Sequence, residues 1–548
     1  MSDIKLSIVK LGDDFWMWRA KQQPRSHDDI PRIERPQGWV PDWSKTRVEM
    51  YREELAAFEK RHTSIDVGPV TNPNVEISTW IDHRILGTAL SRVRWELDHL
   101  RLWQRQPRFY LDQTIGTVFD VLTLREIGAN EVEQVIHLLN SFPKTLADAR
   151  RNLSGESVLE FAEISLGELN AIDVQIDQMA TELAKSVDFE LGERLIAAAV
   201  RASDELVSFK IWLQESKAWM SPLKAIGESE FRWFLSNIAL SPFTPAELIT
   251  IGNLEFDRAV VLETIVKNRF RDVVLPPLPE SAEHQGENES RLESEVRDFY
   301  VEEGILSQPG TLKHYLNSPL PSYLLPIRWL GVTDDLTGPS RLDCDGISYV
   351  PTPSEQMPYF YAANARDPRA GIVHEGAHYQ QLALSWRNPS QIRRHYYDSG
   401  PNEGIAFYNE ELMLAAGLFA DNPHSQALMY NFMRLRALRV VIDVSLAIGT
   451  LDIESATRFL ADKVPMDEET AREEAVFFAS SPGQGLTYQI GKTQIMSLMA
   501  DAVRGNPTNF NLQKFHDYLW INGNVPLSLL RLEFLGDSKE IEFISNQL

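Results

Sequence analysis

The stretch Gly371-Ile-Val-His-Glu-Gly-Ala-His-Tyr-Gln-Gln381 carries an H-E-x-x-H pattern in His374, Glu375 and His378. Positions four apart lie on one face of an α-helix, so both imidazoles can point the same way and supply half of a tetrahedral zinc site. The glutamate between them can reach a water held by the metal. Since chance gives only roughly 0.02 such patterns in a chain of this composition, the stretch predicts the site of a zinc hydrolase.

The flanking residues predict the helix that this pattern requires. Asp367 is a suitable N-cap, Pro368 suits the first helical position, and Asn388-Pro389 would end the run. We therefore expect both histidines on one face of a helix.

Short β-prone pieces precede this helix, in a region rich in proline and glycine. The predicted strands are 323–325, 346–350 and 359–363. A small sheet beside a metal site can bind an extended peptide along an edge strand. The same strands can also serve only to cover the core, and the sequence leaves both interpretations open.

A zinc enzyme needs a third protein ligand and one open position for water. Glu403 stands at the start of the next predicted helix, which follows a loop of about a dozen residues and can fold back across the first. Glu410 lies two helical turns further on the same face, so we expect it to accept a hydrogen bond from a ligating histidine. The alternative is that both glutamates are solvated surface charges. His395 is a weaker ligand candidate, because the arginines beside it would oppose a cation.

Catalysis would then divide between two further groups. Glu375 is predicted to take a proton from the zinc-bound water and to deliver it to the leaving amine. The stretch Pro482-Gly-Gln-Gly-Leu-Thr-Tyr-Gln-Ile-Gly-Lys492 offers Tyr488 as a donor to the developing oxyanion. A buried tyrosine with a structural hydrogen bond is the alternative. The predicted substrate-binding residues are Gln484, Lys492, His516 and Tyr359.

Composition excludes several classes of function. The 548 residues carry a formal net charge of −24, which argues against a nucleic-acid partner. The single cysteine, Cys344, allows no intrachain disulfide. The first residues contain no apolar signal-peptide core, and no apolar run is long enough to span a membrane. A soluble cytoplasmic protein is the resulting prediction.

Hydrophobic periodicity predicts a mostly α fold with a small sheet before the H-E-x-x-H helix. The predicted domains are an N-terminal helical lobe at 1–274, a linker at 275–290 and a C-terminal catalytic lobe at 291–548, which can also form one continuous domain. The linker is proline-rich and then polar and acidic. Thr244-Pro245-Ala246-Glu247 has the form of a capping box and predicts a helix start.

Four stretches resemble the motifs of a known family. They are Glu403-Gly-Ile-Ala-Phe-Tyr-Asn-Glu410 for E-G-W-A-L-Y-x-E, Arg436-Ala-Leu-Arg-Val-Val-Ile-Asp443 for R-x-x-R-x-x-x-D, 482–491 for P-G-Q-A-x-x-Y-x-x-G, and Phe515-His-Asp517 with 523–527 for F-H-D…G-x-V-P-L. Over about 365–530 the chain thus resembles the bacterial family catalogued as domain of unknown function eight-eight-five, whose helical proteins are grouped with zinc metallopeptidases. The resemblance implies a two-lobed helical fold with a deep channel, a Zn²⁺ cofactor and catalysis on peptides.

The chain departs from this family at three places. Many members carry H-E-x-x-P-G-H, whereas the compact H-E-x-x-H here is similar to thimet oligopeptidase and angiotensin-converting enzyme, gluzincins with a glutamate as third ligand. The family's G-L-H is Ser445-Leu-Ala447, and its R-Y pair is Phe477-Phe478. These changes leave the predicted metal ligands intact and affect the expected substrate preference.

The sequence therefore predicts a zinc metallopeptidase acting on small or unfolded peptides, with His374, His378 and Glu403 as ligands. A non-peptide amide hydrolase on the same site and a non-catalytic helical binding or scaffold protein are the alternatives. The sequence leaves open the position of cleavage and the oligomeric state.

Overall fold

The computed structural model describes residues 3–26, 32–124, 126–331, 338–357, 359–464 and 466–547, with the side chain of Tyr359 outside this description. The described chain is mostly helical, as its periodicity predicted. The helices before residue 303 are Asp3–Gln22, Lys45–Thr63, Ile77–Arg94, Leu102–Arg105, Pro107–Leu111, Thr117–Leu122, Ala129–Leu139, Phe142–Leu153, Leu159–Glu168, Ile172–Ala184, Phe189–Ser216, Glu228–Asn237, Pro245–Arg269 and Ala282–Glu302, with π-helical turns at Trp95–Leu100 and Asp112–Gly116 and a 3₁₀ turn at Lys217–Trp219.

The C-terminal part continues the helical pattern after two short strands, β1 (Tyr315–Pro319) and β2 (Gly346–Val350). Its helices are Tyr359–Arg366, Arg369–Gly371, Ala377–Ser385, Gln391–His395, Ser399–Ala416, Pro423–Ile448, Ile453–Lys463, Glu468–Ser480, Thr487–Gly505, Leu512–Ile521, Leu527–Leu535 and Lys539–Gln547, with 3₁₀ turns at Leu325–Leu330 and Pro339–Arg341 and a π-helical turn at Ile372–Gly376.

The small sheet contains one of the three predicted strands. β2 coincides with the predicted strand 346–350 and pairs in parallel with β1, which the sequence reading did not identify, in a register that sets Tyr315 opposite Gly346. The predictions for 323–325 and 359–363 are wrong: the first runs into a 3₁₀ turn with a proline in its first turn, and the second is the start of a helix. Short apolar runs are ambiguous between strand and helix, and tertiary packing decides between them.

The predicted linker also needs a correction, because a helix begins inside it. Ser281 caps the helix Ala282–Glu302 by accepting a hydrogen bond from the His284 N–H. The helix covers the outer side of β1, where the Glu289 carboxylate accepts the Asn317 N–H at 2.8 Å. Some acidic residues of this helix, such as Glu289, are therefore buried. Composition alone indicated a linker because acidic residues are usually exposed to solvent. The division into two lobes stays a prediction; the largest apolar cluster contains buried residues from both of them.

Two close helix contacts position the residues discussed below. The helix Ser399–Ala416, here called the Glu403 helix, packs against Thr487–Gly505, the Tyr488 helix. At their crossing a Cβ on Gly404 would lie 2.6 Å from the Gly491 Cα, so only glycine permits this approach. Likewise Pro423–Ile448, the Arg436 helix, packs along Pro245–Arg269, which begins with the predicted capping box of Thr244.

A bilayer-spanning helix would need about twenty mainly apolar residues. No helix within the described ranges meets that requirement of length and apolar character.

Candidate metal centre

The H-E-x-x-H stretch lies on a helical segment that runs from Arg369 to Ser385. Residues Ile372–Gly376 of this segment form a π-helical turn. The helix begins one residue later than predicted, at Arg369 with Pro368 as its N-cap, and the Asp367 carboxylate accepts the Arg369 N–H at 3.2 Å. Within the turn, the Val373 carbonyl accepts a 2.7 Å hydrogen bond from Asn409 Nδ2 of the Glu403 helix. Single π-helical turns are frequent at functional sites, and here the turn is fixed to the neighbouring helix that carries the third predicted ligand.

Three possible ligand atoms converge at this point. Glu403 Oε2 lies 3.2 Å from His378 Nε2 and 3.6 Å from His374 Nε2. One donor atom from each of the three residues falls within 4.8 Å of the others. The structure therefore brings together the two histidines and the glutamate that the sequence singled out.

The separations fit a metal better than they fit hydrogen bonds. Zn–N and Zn–O distances of about 2.0–2.1 Å in a tetrahedral site leave ligand atoms roughly 3.3 Å apart. A charge-assisted N–H···O hydrogen bond would be shorter, about 2.7–2.9 Å. In addition, Glu403 Oε2 is buried and has no hydrogen-bond partner among the described residues. The donor set thus fits a zinc ion held by two imidazoles and one carboxylate.

Electrostatics of the metal-free protein follow from the same contacts. Burial opposes ionisation of Glu403, but the two imidazoles outweigh it and hold the pKa of this carboxyl far below its usual range. Burial and Arg436 lower the pKa of His374, while Glu403 and Glu410 raise it, with a net increase to about 9. Because a metal binds neutral imidazole, binding must displace a proton from His374.

Glu410 occupies the position predicted for a residue supporting a ligand. Its carboxylate is fully buried, and its Oε1 lies 2.7 Å from His374 Nδ1, the ring nitrogen that faces away from Glu403. The same oxygen lies 2.9 Å from Arg436 Nη2. Such a carboxylate fixes the orientation of a ligating imidazole, and the guanidinium balances its charge. His378 Nδ1, by contrast, is buried and has no hydrogen-bond partner among the described residues.

Tyr488 lies on the other side of His374. The two rings are stacked with their centroids 6.3 Å apart and their planes 11° from parallel. The Arg439 guanidinium lies 5.0 Å from the Tyr488 ring centroid and pairs with Glu474 at 2.6 Å. Burial and the neighbouring Glu403 raise the pKa of Tyr488 well above its usual value. The phenol therefore stays protonated and can donate a hydrogen bond.

The donor set opens onto a cavity of about 1210 Å³. The Glu375 side chain, which is exposed, lines this cavity. The other predicted site residues on its wall are His374, His378, Glu403, Gln484 and Tyr488. Further wall residues lie within 25–26, 33–39, 117–124 and 130–138, in the predicted N-terminal lobe. Five groups with metal or proton chemistry and one amide thus face the same space.

Two of the predicted substrate-binding residues are corrected by the structure. Lys492 is buried away from the cavity and forms ion pairs with Glu411 at 2.7 Å and Glu255 at 3.5 Å. The spacing of four did place it on the Tyr488 helix, but the helix turns this side chain toward the opposite acidic groups. His516 is also buried: its Nδ1 lies 2.8 Å from the Ile305 carbonyl oxygen and its Nε2 lies 2.8 Å from the Tyr408 hydroxyl.

The remaining predictions differ in outcome. Gln484 reaches the cavity and accepts a 2.8 Å hydrogen bond from the Ser399 hydroxyl. Tyr359 begins a helix, and its proposed contact with substrate lies outside the described residues. His395 lies 2.7 Å from the Arg32 carbonyl oxygen and is not part of the three-residue donor set. Glu403 does lie in that set, and its role as a metal ligand stays a prediction.

The polar residues of the R-x-x-R-x-x-x-D stretch were not predicted to have a role in the site. Each polar residue proves to hold one part of the site: Arg436 contacts Glu410, Arg439 contacts Tyr488, and Asp443 accepts the Gly483 and Leu486 N–H groups at 2.9 and 3.0 Å. Burial raises the pKa of Asp443 to about 7, against these donors. The available signal was the spacing of three and four, which sets all three residues along one face of the Arg436 helix.

Comparisons with known proteins extend over the whole fold. A putative lipoprotein of unknown function from Shewanella oneidensis has a similar structure, with a TM-score of 0.72, 16% sequence identity, and coverage of 98% of this chain and 100% of that one. A putative lipoprotein from Colwellia psychrerythraea is similar with a TM-score of 0.74 and 14% identity, covering 99% of both chains. No curated protein shows significant similarity to the chain.

These likenesses overturn one prediction and confirm another. The cytoplasmic location is wrong, because both similar structures are described as lipoproteins, a class of exported, membrane-anchored proteins. The sequence motifs had indicated the family correctly. Residues 336–533 match the family described as "Bacterial protein of unknown function (DUF885)", the family whose motifs this part of the sequence resembles.

Proposed function

We propose that this protein is a zinc-dependent peptidase of the gluzincin type. The observation that carries the proposal is the convergence of His374, His378 and Glu403 on a cavity that also receives the exposed Glu375. Three protein ligands with an open fourth position are typical of catalytic zinc sites, whereas structural zinc sites have four protein ligands.

A bound zinc ion would supply a Lewis acid that polarises a carbonyl group and makes a water molecule more acidic. The protein residues supply the proton transfers. Glu375 lies between the two histidines in the sequence and faces the cavity, so its carboxylate accepts a proton from the attacking water and passes it to the amine that leaves.

Tyr488 supplies the second proposed contribution. Its hydroxyl stays protonated next to Glu403 and lines the cavity, so it donates a hydrogen bond to the oxygen of the tetrahedral intermediate. Stacking on His374 and the adjacent Arg439 hold the ring in place. A donor fixed before the reaction need not reorganise when charge develops.

The size of the cavity favours peptides over a small amide. Pockets for small molecules usually measure about 300–1,000 Å³, and this cavity reaches about 1210 Å³. Its walls come from both predicted lobes, which supports the two-lobed peptidase-like arrangement as part of the same proposal. By likeness to the two lipoproteins, we propose that the peptides are encountered outside the cytoplasm; fractionation of cells that produce the protein tests this point.

A peptide-library digest with mass-spectrometric detection tests the proposed activity. The zinc-loaded protein should cleave peptide bonds, and a chelator should stop the cleavage. Glu375→Gln is the matched control, since it keeps the shape of the side chain; it should bind zinc normally and lose activity about 100-fold or more. Absence of cleavage by the zinc-loaded protein over the whole library would refute the proposal.

A further inference from the structure

A second, smaller pocket adjoins the main cavity. It measures about 90 Å³ and is lined mainly by apolar side chains, among them the aromatic residues Trp43, Trp95, Trp103, Phe109 and Phe234. Ser26 and Gln484 line both spaces. The pocket therefore adjoins the large cavity at these two residues.

The P-G-Q-G loop lies where the two spaces meet, because Gln484 lines both of them. Gly483 has a φ of +96°, and a Cβ at this position would collide with the Phe234 ring, so the loop can approach the aromatic wall only with glycine there. The Asp443 carboxylate holds the loop in place by accepting a hydrogen bond from the Gly483 N–H. Gln484 faces the pocket and precedes Tyr488 by four positions, which limits their Cα separation to about 14 Å. The Gln484 edge of the pocket therefore lies within about four extended residues of Tyr488, whose ring stacks on His374.

Backbone strain is concentrated around the same pocket. In the described part of the chain, two non-glycine residues have a positive φ: Arg101 at 52° and Leu240 at 45°. The residues on both sides of each one line the pocket, namely Leu100 and Leu102, and Ala239 and Ser241. Left-handed conformations are unfavourable for residues with a Cβ and are retained mostly at binding and catalytic sites. Both strained positions thus shape this one pocket.

We propose that the pocket binds a branched aliphatic side chain, such as leucine, isoleucine or valine, of the peptide substrate. Apolar side chains form most of the wall, and an unpaired charge buried among them would be highly unfavourable. The charged residues on the wall, Arg92, Glu96 and Asp398, already interact with other parts of the protein. An apolar cavity that holds a benzene ring measures about 150 Å³, so a space of about 90 Å³ selects against phenylalanine. Ser241 Oγ, which has no hydrogen-bond partner among the described residues, marks a wall position where an apolar substitution breaks no bond.

The assignment of the pocket to a side chain of the substrate rests on the proposed peptidase function. The binding of an aliphatic ligand to the pocket does not depend on that function. Two experiments separate them. In the peptide-library digest, wild-type protein should favour leucine, isoleucine or valine at one fixed position within about four residues of the cut. Replacement of that residue by alanine should lower kcat/KM at least 10-fold. Cleavage without such a preference at any position would overturn the assignment.

The second experiment uses metal-free protein and requires no activity. Saturation-transfer NMR should detect binding of N-acetyl-leucinamide and a much weaker signal from N-acetyl-phenylalaninamide. Ser241→Leu fills the pocket and should abolish the leucine signal, while Ser241→Ala, the matched control that leaves the space open, should keep it. Ala239→Leu is the second filling variant if Ser241→Leu does not fold. Absence of a leucine signal from the wild-type protein, or its persistence in the filled variant, would refute the pocket even if peptides are cleaved.

Discussion

The two histidines of the metal centre and the buried His516 show what decides the role of an imidazole. At the metal centre, the Nε2 atoms of His374 and His378 face one carboxylate oxygen at distances too long for strong hydrogen bonds. In the His516 region, both ring nitrogens lie within hydrogen-bond distance of protein oxygens, one a backbone carbonyl. The first arrangement leaves electron pairs that a metal can use, whereas the second uses them to join helices. The atoms that the ring nitrogens contact, rather than the residue type, distinguish the two roles.

The largest expected effect comes from removing a ligand. His378→Ala leaves two of the three donors, so zinc bound after loading and dialysis should fall below about 0.2 equivalents, with no measurable peptidase activity. His516→Gln is the control from the other region and should retain its zinc. Atomic emission on both purified variants gives the comparison. If His378→Ala kept a full equivalent, the donor set would have been assigned incorrectly.

Tyr488→Phe should have the next largest effect. The change removes only the hydroxyl, while the ring stacking on His374 remains possible. Loss of one oxyanion donor typically costs about 10²–10³ in kcat, so we expect a decrease of about 100-fold with the zinc content unchanged. Steady-state kinetics on a peptide identified in the library digest measure it. An unchanged kcat would exclude the oxyanion role and leave Tyr488 as a packing residue.

Glu410→Gln tests whether Glu410 supports His374 as a ligand, and it should lower the affinity of the protein for zinc. The substitution removes a charge 2.7 Å from His374 Nδ1 and leaves Arg436 without its partner. Residues in such positions usually contribute about 10–100-fold to metal affinity. Zinc competition with a fluorescent chelator should show this loss. An affinity equal to that of the wild-type protein would show that Glu410 serves only to balance Arg436.

The smallest expected effect is a change in stability with pH. It distinguishes the structural role of His516 from the role of the metal ligands. Burial lowers the pKa of His516 to about 4 in the folded protein, from its ordinary value of 6.5. Its neutral form therefore stabilises the fold fully above pH 6.5, and this contribution is lost as the pH falls toward 4. Between pH 7 and pH 5 the loss amounts to about 2 kcal/mol. In chelator, thermal unfolding of His516→Gln should depend less on pH in this interval than that of the wild-type protein; equal dependence would contradict the assignment.

The sequence predicted the parts of this molecule that short-range rules determine. Spacing of four and a loop of suitable length correctly grouped His374, His378 and Glu403, and the helical period indicated the mostly α fold. It failed for Lys492 and His516, because helical spacing fixes a face of the helix but not the elements packed against that face. The apolar pocket was also not predicted, because its wall is built from residues that are distant in the chain.

The zinc content of the wild-type protein tests the central claim most directly. After loading with zinc and exhaustive dialysis, plasma emission spectrometry should find close to one equivalent per chain, and anomalous scattering at the zinc edge should place it between His374, His378 and Glu403. Less than about 0.2 equivalents, or an ion at any other position, would contradict a catalytic metal centre here.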